Sequence, residues 1–300
     1  MPDFGAAERR MLSYFKRGIE LFYRGSRYIV EEADKPTCSY GEPKTDIYVL
    51  LSNGCQEQEL KISYKKENAD FLENKTNSQR AEQLFGPEWR EIISDSTSAI
   101  AERFTERMLV YKDALGRTEK GAITLGWKFE LLNKPGGDLS GLMNLTPQQV
   151  YDVYAGTNLS PDKRDAMVNG RIIRDSGVAD YILMTDRVGS AQEIVETMVP
   201  IGEYIEAHPN IYFVCKALNY RTFRQKYDGN RPLSVQVDWK VRNGKLAYDL
   251  VFDQPLEMNG TEMAERLLAC MKRLSIHTTD DIDVNNSDMK NVYEELKKEV

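Results

Sequence analysis

The chain has 300 residues, of which 41% are hydrophobic, and a formal net charge of −7. This length allows one large domain or two smaller ones, with enough apolar residues to form a core. No apolar stretch approaches the roughly 20 residues of a membrane-spanning helix and the first residues do not resemble a signal peptide, so we predict a soluble, cytoplasmic protein that binds no membrane.

The hydrophobic pattern of the first 135 residues predicts helices around a group of strands. Met11, Phe15, Ile19 and Phe22 recur at the spacing of one helix face, and Gly25 would end that helix. The elements predicted for this part are a helix at 6–24, strands at 27–32, 45–51 and 57–64, helices at 78–84 and 87–111, and a strand at 122–132.

A cluster of proline and glycine residues at 135–141 is the clearest candidate for a domain boundary. Beyond it, Asn243-Gly244 is typical of a tight hairpin turn. The elements predicted for this part are helices near 147–155, 190–207, 260–274 and 288–298, and strands at 180–185, 211–219, 233–242 and 246–253.

These elements predict an α/β (α+β) protein. The central mixed sheet would contain an N-terminal antiparallel meander flanked by helices, and a C-terminal α/β extension would follow. We predict a core domain at 1–135, the extension at 136–277 and an acidic tail at 278–300. The tail holds seven acids and three lysines, so −4 of the net charge of −7 lies there and −3 lies in the rest.

Two predicted strands carry the candidate chemistry. Asp46 begins one of them, and Glu59 and Lys61 lie on the next, beyond the turn at 52–56. Residues two apart on a strand share a face, so Glu59 and Lys61 would project together, with Asp46 at the open end of the sheet. Six Asp/Glu-x-Lys triplets occur in the chain, and only this context distinguishes the one at Glu59.

This set of side chains is suited to divalent-metal chemistry on a phosphodiester. Mg²⁺ prefers oxygen ligands and usually takes one or two carboxylates, here Asp46 and Glu59. Lys61 could orient or deprotonate a metal-bound water, or stabilise the transition state. A glutamate from the first helix would complete the site, and Glu20 is preferred slightly over Glu8.

Other catalytic sets are less well supported by the sequence. Asp180 followed by Asp238 and Lys240 repeats the pattern of an acid before Asp-x-Lys, but a long segment separates its two parts. The four cysteines form no Cys-x-x-Cys pair and the chain has only two histidines, which argues against a zinc site or a histidine-centred nucleophile.

At Lys44-Thr45-Asp46 and Glu59-Leu60-Lys61 the chain resembles the PD-(D/E)xK nuclease superfamily, which includes many restriction endonucleases. The lysine-rich segment after Lys61 is similar to bacterial and phage-encoded members. The resemblance covers about residues 6–132, and Thr45 replaces the superfamily's usual proline. It implies a restriction endonuclease-like core, Asp46 and Glu59 as metal ligands, and Lys61 as the catalytic lysine.

The leading hypothesis is therefore a Mg²⁺-dependent endodeoxyribonuclease, compatible with a type II restriction endonuclease. Residues 136–277 would contribute DNA recognition or homodimer formation, and aromatic and basic residues at 220–231 could contact DNA. The alternative is a non-catalytic DNA- or protein-binding module on a nuclease-like fold, since a fold does not determine a function. An unrelated α/β protein with a structural role is a third hypothesis.

Overall fold

The computed structural model describes residues 4–39, 41–67, 69, 71–74 and 76–295. The helices are α1 (Phe4–Ser13), α2 (Ser78–Phe85), α3 (Trp89–Ser98), α4 (Ala101–Thr105), α5 (Pro147–Ala155), α6 (Pro161–Arg164), α7 (Ala191–Thr197), α8 (Ile201–Ala207) and α9 (Gly260–Arg273). The strands are β1 (Glu20–Tyr23), β2 (Ser26–Asp34), β3 (Ile47–Ser52), β4 (Glu57–Tyr64), β5 (Phe71–Glu73), β6 (Val110–Tyr111), β7 (Ala122–Leu132), β8 (Ser140–Leu142), β9 (Met167–Val168), β10 (Arg171–Ile172), β11 (Tyr181–Leu183), β12 (Val199–Pro200), β13 (Tyr212–Arg221), β14 (Lys226–Tyr227), β15 (Val235–Arg242), β16 (Lys245–Val251) and β17 (Val292–Tyr293).

The chain forms two compact units, each discontinuous in sequence. Unit 1 comprises residues 1–70, 83–85 and 145–210, and unit 2 comprises residues 71–82, 86–144 and 211–300. The boundaries predicted at 135 and 277 both fall inside unit 2. The glycine-rich segment at 135–141 is a turn within one sheet, because the strands on either side of it, β7 and β8, both pair with β13.

Unit 1 is built on a mixed sheet with the strand order β1-β2-β3-β4-β11-β12. Strands β2, β3 and β4 form the predicted antiparallel meander, and β1 adds to it as a fourth antiparallel strand. Strand β11 then lies parallel to β4, and β12 is antiparallel to β11. One face of this sheet packs into an apolar core that includes Met11 of α1, Phe15 just after that helix, and the fully buried Val49, Leu60 and Ile62.

The first helix ends earlier than predicted. Helix α1 stops at Ser13, and Gly18 follows with a φ of +88°, a left-handed conformation that glycine adopts easily. Residues 20–34 then form the hairpin β1–β2 around Arg24 and Gly25, both with positive φ. The prediction of a helix over 6–24 is wrong for its second half, where the side chains of residues 20–23 are alternately exposed and buried as in a strand.

Unit 2 contains a larger sheet with the order β14-β13-β7-β15-β16, to which β5, β6, β8 and β17 add at the sides. Helix α9 packs against β15, β7 and β13. The hairpin predicted at Asn243-Gly244 is confirmed: both residues have positive φ, and β15 and β16 pair in register on either side of them.

The predicted acidic tail is largely part of unit 2. Thr279, Ile282 and Ser287 are buried, and strand β17 pairs in parallel with β6. The helix predicted at 288–298 is therefore wrong where the structure describes the chain, and its residues 296–298 lie outside the described residues.

The prediction of a mixed α and β fold is confirmed, because both units combine helices with mixed sheets. Among the described residues, no helix is both long enough and apolar enough to cross a bilayer.

Candidate active site

Three strands of unit 1 end, and a fourth begins, along one side of its sheet. We call this row of strand ends the edge of the sheet. The antiparallel pairing of β2, β3 and β4 brings the end of β2, the start of β3 and the end of β4 together, and the parallel strand β11 also ends there. The residues at these positions are Lys35 after β2, Asp46 before β3 and Lys65 after β4. The sheet therefore gathers one carboxylate and two ammonium groups from segments that are far apart in sequence.

Asp46 is held at this edge by the end of β4. Its Oδ2 accepts a hydrogen bond from the backbone N–H of Tyr64 at 2.7 Å and a longer one from Ser63 Oγ at 3.5 Å. Lys65 Nζ lies 3.9 Å from the same oxygen. The side chain is 15% exposed, and within the part of the chain that the structure describes its Oδ1 accepts no hydrogen bond. That second oxygen is available to a ligand.

Helix α1 contributes a second carboxylate. Glu8 Oε2 lies 2.5 Å from Lys35 Nζ, and the two side chains are 24% and 37% exposed. The charges of Glu8 and Lys35 both act on Asp46. We call Glu8, Lys35, Asp46, Ser63 and Lys65 the edge cluster.

The electrostatic balance of the cluster acts against ionisation of its central acid. Burial raises the pKa of Asp46, and the negative charge of Glu8 adds to this effect. The charges of Lys65 and Lys35 and the hydrogen bond from Tyr64 lower the pKa but do not cancel the rise. Burial lowers the pKa of Lys35, yet the hydrogen bond and charge of Glu8, with Asp46, give a net rise.

The predicted pair of metal ligands, Asp46 and Glu59, is not brought together. The register places Ile47 opposite Ile62, so Asp46 lies level with Ser63, four residues from Glu59. At about 3.3 Å per residue this separation is about 13 Å along the strand, too far for one metal ion. Glu59 instead accepts a hydrogen bond from the buried Tyr48 hydroxyl at 2.7 Å.

Lys61 shares the face of Ser63, as strand alternation predicts, but its ammonium group is committed elsewhere. It lies 3.2 Å from Asp180 Oδ2 and donates to the carbonyl oxygen of Asp175 at 3.4 Å. The lysine that approaches Asp46 is Lys65. Lys65 lies two residues after Ser63, as Lys61 lies two residues after Glu59. The lysine near Asp46 is therefore four residues later in the chain than the one predicted.

Glu20 also lies away from the site. It is the first residue of β1 rather than part of a helix, and its carboxylate is 3.9 Å from Arg27 with both side chains mostly exposed. The expectation that the first helix supplies Glu20 is therefore wrong. Glu8, the other glutamate considered, is the one that α1 carries to the edge cluster.

The residues of the second predicted set are divided between the two units. Asp180 belongs to unit 1 and pairs with Lys61, whereas Asp238 and Lys240 lie on β15 in the other unit's sheet. Lys240 Nζ is 2.5 Å from Asp249 and 3.2 Å from Asp238. This triplet is a surface ion-pair network.

The basic residues expected to contact DNA are partly neutralised. Arg221 lies 2.7 Å from Asp228 and 2.5 Å from Glu119, and Arg224 lies 3.2 Å from the same glutamate. Tyr220 is only 6% exposed. The segment at 220–231 is therefore a folded, ion-paired part of unit 2 rather than an open basic loop.

The edge cluster provides some of the ligands that Mg²⁺ uses. Mg²⁺ commonly binds through one or two carboxylates, with waters and substrate phosphates completing its shell. Asp46 and Glu8 are two such carboxylates, and Asp46 Oδ1 is open. In the described ranges no three His, Cys, Asp or Glu side chains are placed to hold a metal ion together. An ion here would depend on water and phosphate oxygens for most of its ligands.

Comparison of the chain with family models, curated proteins and solved structures finds no match. The function must therefore be argued from the site.

Proposed function

We propose that this protein is a Mg²⁺-dependent endodeoxyribonuclease whose active site is the edge cluster. The observation that carries the proposal is the pairing of Asp46 with Lys65 where β3 begins and β2, β4 and the parallel strand β11 end, beside the Glu8–Lys35 ion pair whose charges act on Asp46. A first helix, an antiparallel meander and a later parallel strand follow the order of the PD-(D/E)xK core, which supports a restriction endonuclease-like fold for unit 1.

The roles follow from the contacts of each group. Asp46, with Oδ1 open, and Glu8 would hold Mg²⁺. When bound, Mg²⁺ would supply a water of lowered pKa and neutralise charge on the phosphate. Lys65, 3.9 Å from Asp46, favours the ionised carboxylate and can donate to a phosphate oxygen as negative charge develops there. Ser63 Oγ is a further donor at the same point.

DNA remains the proposed substrate because a carboxylate–lysine pair at a sheet edge matches the chemistry of phosphodiester hydrolysis. Target recognition or homodimer formation by unit 2 stays a prediction.

A plasmid assay tests the proposal and the register together. Supercoiled DNA is incubated with Mg²⁺ and the parent, Asp46→Ala or Lys65→Met. The matched controls are Lys61→Met and Glu59→Gln, which alter the same strand outside the cluster. We expect the parent and both controls to cleave. Lys65→Met should lose about 10²–10³ in rate, the range for removal of one transition-state donor.

Two results would contradict this assignment. Loss of cleavage in Lys61→Met and Glu59→Gln, with Lys65→Met active, would return the site to the residues that the triplet alone predicts. Undiminished cleavage by Asp46→Ala would remove unit 1 from the chemistry.

A non-catalytic nucleic-acid-binding module is the second candidate. It is favoured by one observation: Ser63, rather than a carboxylate, lies level with Asp46. Fluorescence anisotropy with a labelled duplex distinguishes the two. Binding that depends on Lys65 and Lys35, without cleavage in Mg²⁺ or Mn²⁺, would support the module.

A further inference from the structure

Lys35 occupies the part of the edge cluster where a cation would be expected. Its Nζ contacts Glu8 at 2.5 Å, and its charge also acts on Asp46. The ammonium thus forms an ion pair with Glu8, and its charge lowers the pKa of Asp46. An ammonium is a compact, strongly hydrated point charge on a flexible stem, so it can balance two anions in the way that a metal ion does.

The backbone at Lys35 is held by hydrogen bonds, whereas its side chain is partly exposed to solvent. Asp34 Oδ1 accepts from the backbone N–H of Lys35 at 2.8 Å, and Asp34 Oδ2 accepts from the backbone N–H of Asn169 at 2.7 Å. This anchors the end of β2 beside the cluster. The Lys35 side chain is 37% exposed, so its four-carbon stem has solvent into which it can swing.

We propose that Lys35 is a built-in counter-ion that a divalent cation must displace from Glu8. This inference depends on the proposed function, because it assigns the same two carboxylates to the metal. The physical reason is direct: a divalent ion on Glu8 would lie beside an ammonium 2.5 Å from that carboxylate, and two cations repel strongly at such separations.

Two consequences follow. Without metal, Lys35 stabilises the fold by screening Glu8 and Asp46 from each other. With metal, Lys35 lowers the affinity, because part of the binding free energy is used to move it away. Its removal should therefore destabilise the metal-free protein and tighten metal binding.

The test measures Mn²⁺ and Mg²⁺ affinity by isothermal titration calorimetry at constant pH, with thermal melts in the presence and absence of each ion. The variants are Lys35→Met, Asp46→Asn and Lys16→Met, a matched control at an exposed lysine that follows α1. We expect Lys35→Met to bind Mn²⁺ at least tenfold more tightly than the parent. It should melt lower without metal and gain more from Mn²⁺, whereas Lys16→Met should match the parent.

A second readout uses the parent protein alone, so it does not depend on a variant that folds. Brief labelling with an amine-reactive reagent, followed by peptide mass spectrometry, reports the accessibility of Lys35. Labelling of Lys35 should rise when Mn²⁺ is added, while that of Lys61, which pairs with Asp180, should not.

The outcomes separate the two proposals. If Asp46→Asn abolishes Mn²⁺ binding while Lys35→Met leaves it unchanged or weakens it, the counter-ion role is overturned and the metal site is kept. The absence of measurable Mn²⁺ binding in parent and Lys35→Met alike would overturn both.

Discussion

The assignment of Lys65 rather than Lys61 to the site makes a prediction about the acidity of Asp46. Replacing Lys65 with Met removes a positive charge 3.9 Å from Asp46 Oδ2 while keeping most of the side-chain volume. Coulomb's law gives about 4 kcal/mol for two unit charges at this distance with an effective dielectric constant of about 20, and about 1 kcal/mol in bulk water. The two side chains are 27% and 15% exposed, so the true value should lie between these limits.

This interaction stabilises the ionised form of Asp46 only. Its loss should therefore raise the pKa of Asp46 further and increase the proton affinity by about fivefold to about a thousandfold. Carbon-detected NMR of protein with ¹³C-labelled aspartate carboxyls follows the titration directly, and Asp46→Asn identifies the resonance.

Lys61→Met is the matched control for this measurement. Lys61 lies on the same strand, but its ammonium contacts Asp180 at 3.2 Å instead. The resonance of Asp46 should titrate in this control nearly as in the parent. If Lys61→Met moved the titration and Lys65→Met did not, the register-based assignment of the site would be refuted.

Three further predictions test the surroundings of the site. Burial raises the pKa of Asp46 in the folded protein. The stability that protonated Asp46 contributes is therefore present below its unfolded-state pKa and is lost as pH rises through its folded-state pKa. Asp46→Asn should melt a few degrees above the parent at pH 7–8 and at the same temperature as the parent in acid. A lower melting point at neutral pH would contradict this. Tyr48→Phe removes the 2.7 Å hydrogen bond to Glu59 and should cost about 1.5–3 kcal/mol in urea unfolding, with Mn²⁺ affinity unchanged. In unit 2, Glu130→Gln leaves two partly exposed lysines that face each other across β7 and β13 without their buried counter-ion. It should cost about 1.5–3 kcal/mol in the same assay, whereas Glu265→Gln, at an exposed position, should cost little.

Much of unit 1's meander could be predicted from the sequence because local patterns specify it. The alternation of apolar residues in β4 and the turn at 53–56 identify a hairpin. Asn53 Oδ1 fixes that turn by accepting from the backbone N–H groups of Cys55 and Gln56. The parallel strand β11 follows β4 by more than 110 residues, and no local pattern indicates that the two would pair.

Three residues of the edge cluster, Asp46, Ser63 and Lys65, could have been found from the same hairpin. Ser52 pairs with Glu57 across the turn, so each step back along β3 matches one step forward along β4. Asp46 lies six residues before Ser52, and Ser63 lies six residues after Glu57. The Asp/Glu-x-Lys triplet predicts Glu59 from its chemistry alone. The pairing register of β3 and β4 instead determines which residue lies opposite Asp46. Counting the register from the turn identifies Ser63 and Lys65 instead.

Other features depended on information that the sequence pattern did not contain. Helix α1 ends before Gly18, and the apolar residues beyond it fit a helix and a strand equally well over so short a range. The contact between Glu8 and Lys35 joins α1 to the end of β2, and its formation depends on how the helix lies against the sheet. Such packing is a tertiary property, so the choice between Glu8 and Glu20 required the fold.

The charges of the edge cluster would allow an acidic protein to act on DNA if the cluster is the active site, as proposed. Glu8 and Asp46 bring two negative charges, and Lys35 and Lys65 bring two positive ones, so the cluster is nearly neutral by itself. A divalent ion adds +2 and a phosphodiester adds −1, which would leave an excess of positive charge among partly buried groups. If Lys35 moves away from the carboxylates as the ion enters, its ammonium becomes available to a neighbouring phosphate of the DNA, and the excess charge is used in substrate binding. A chain with a net charge of −7 could then engage a polyanion at one point, because affinity follows the local field rather than the total charge.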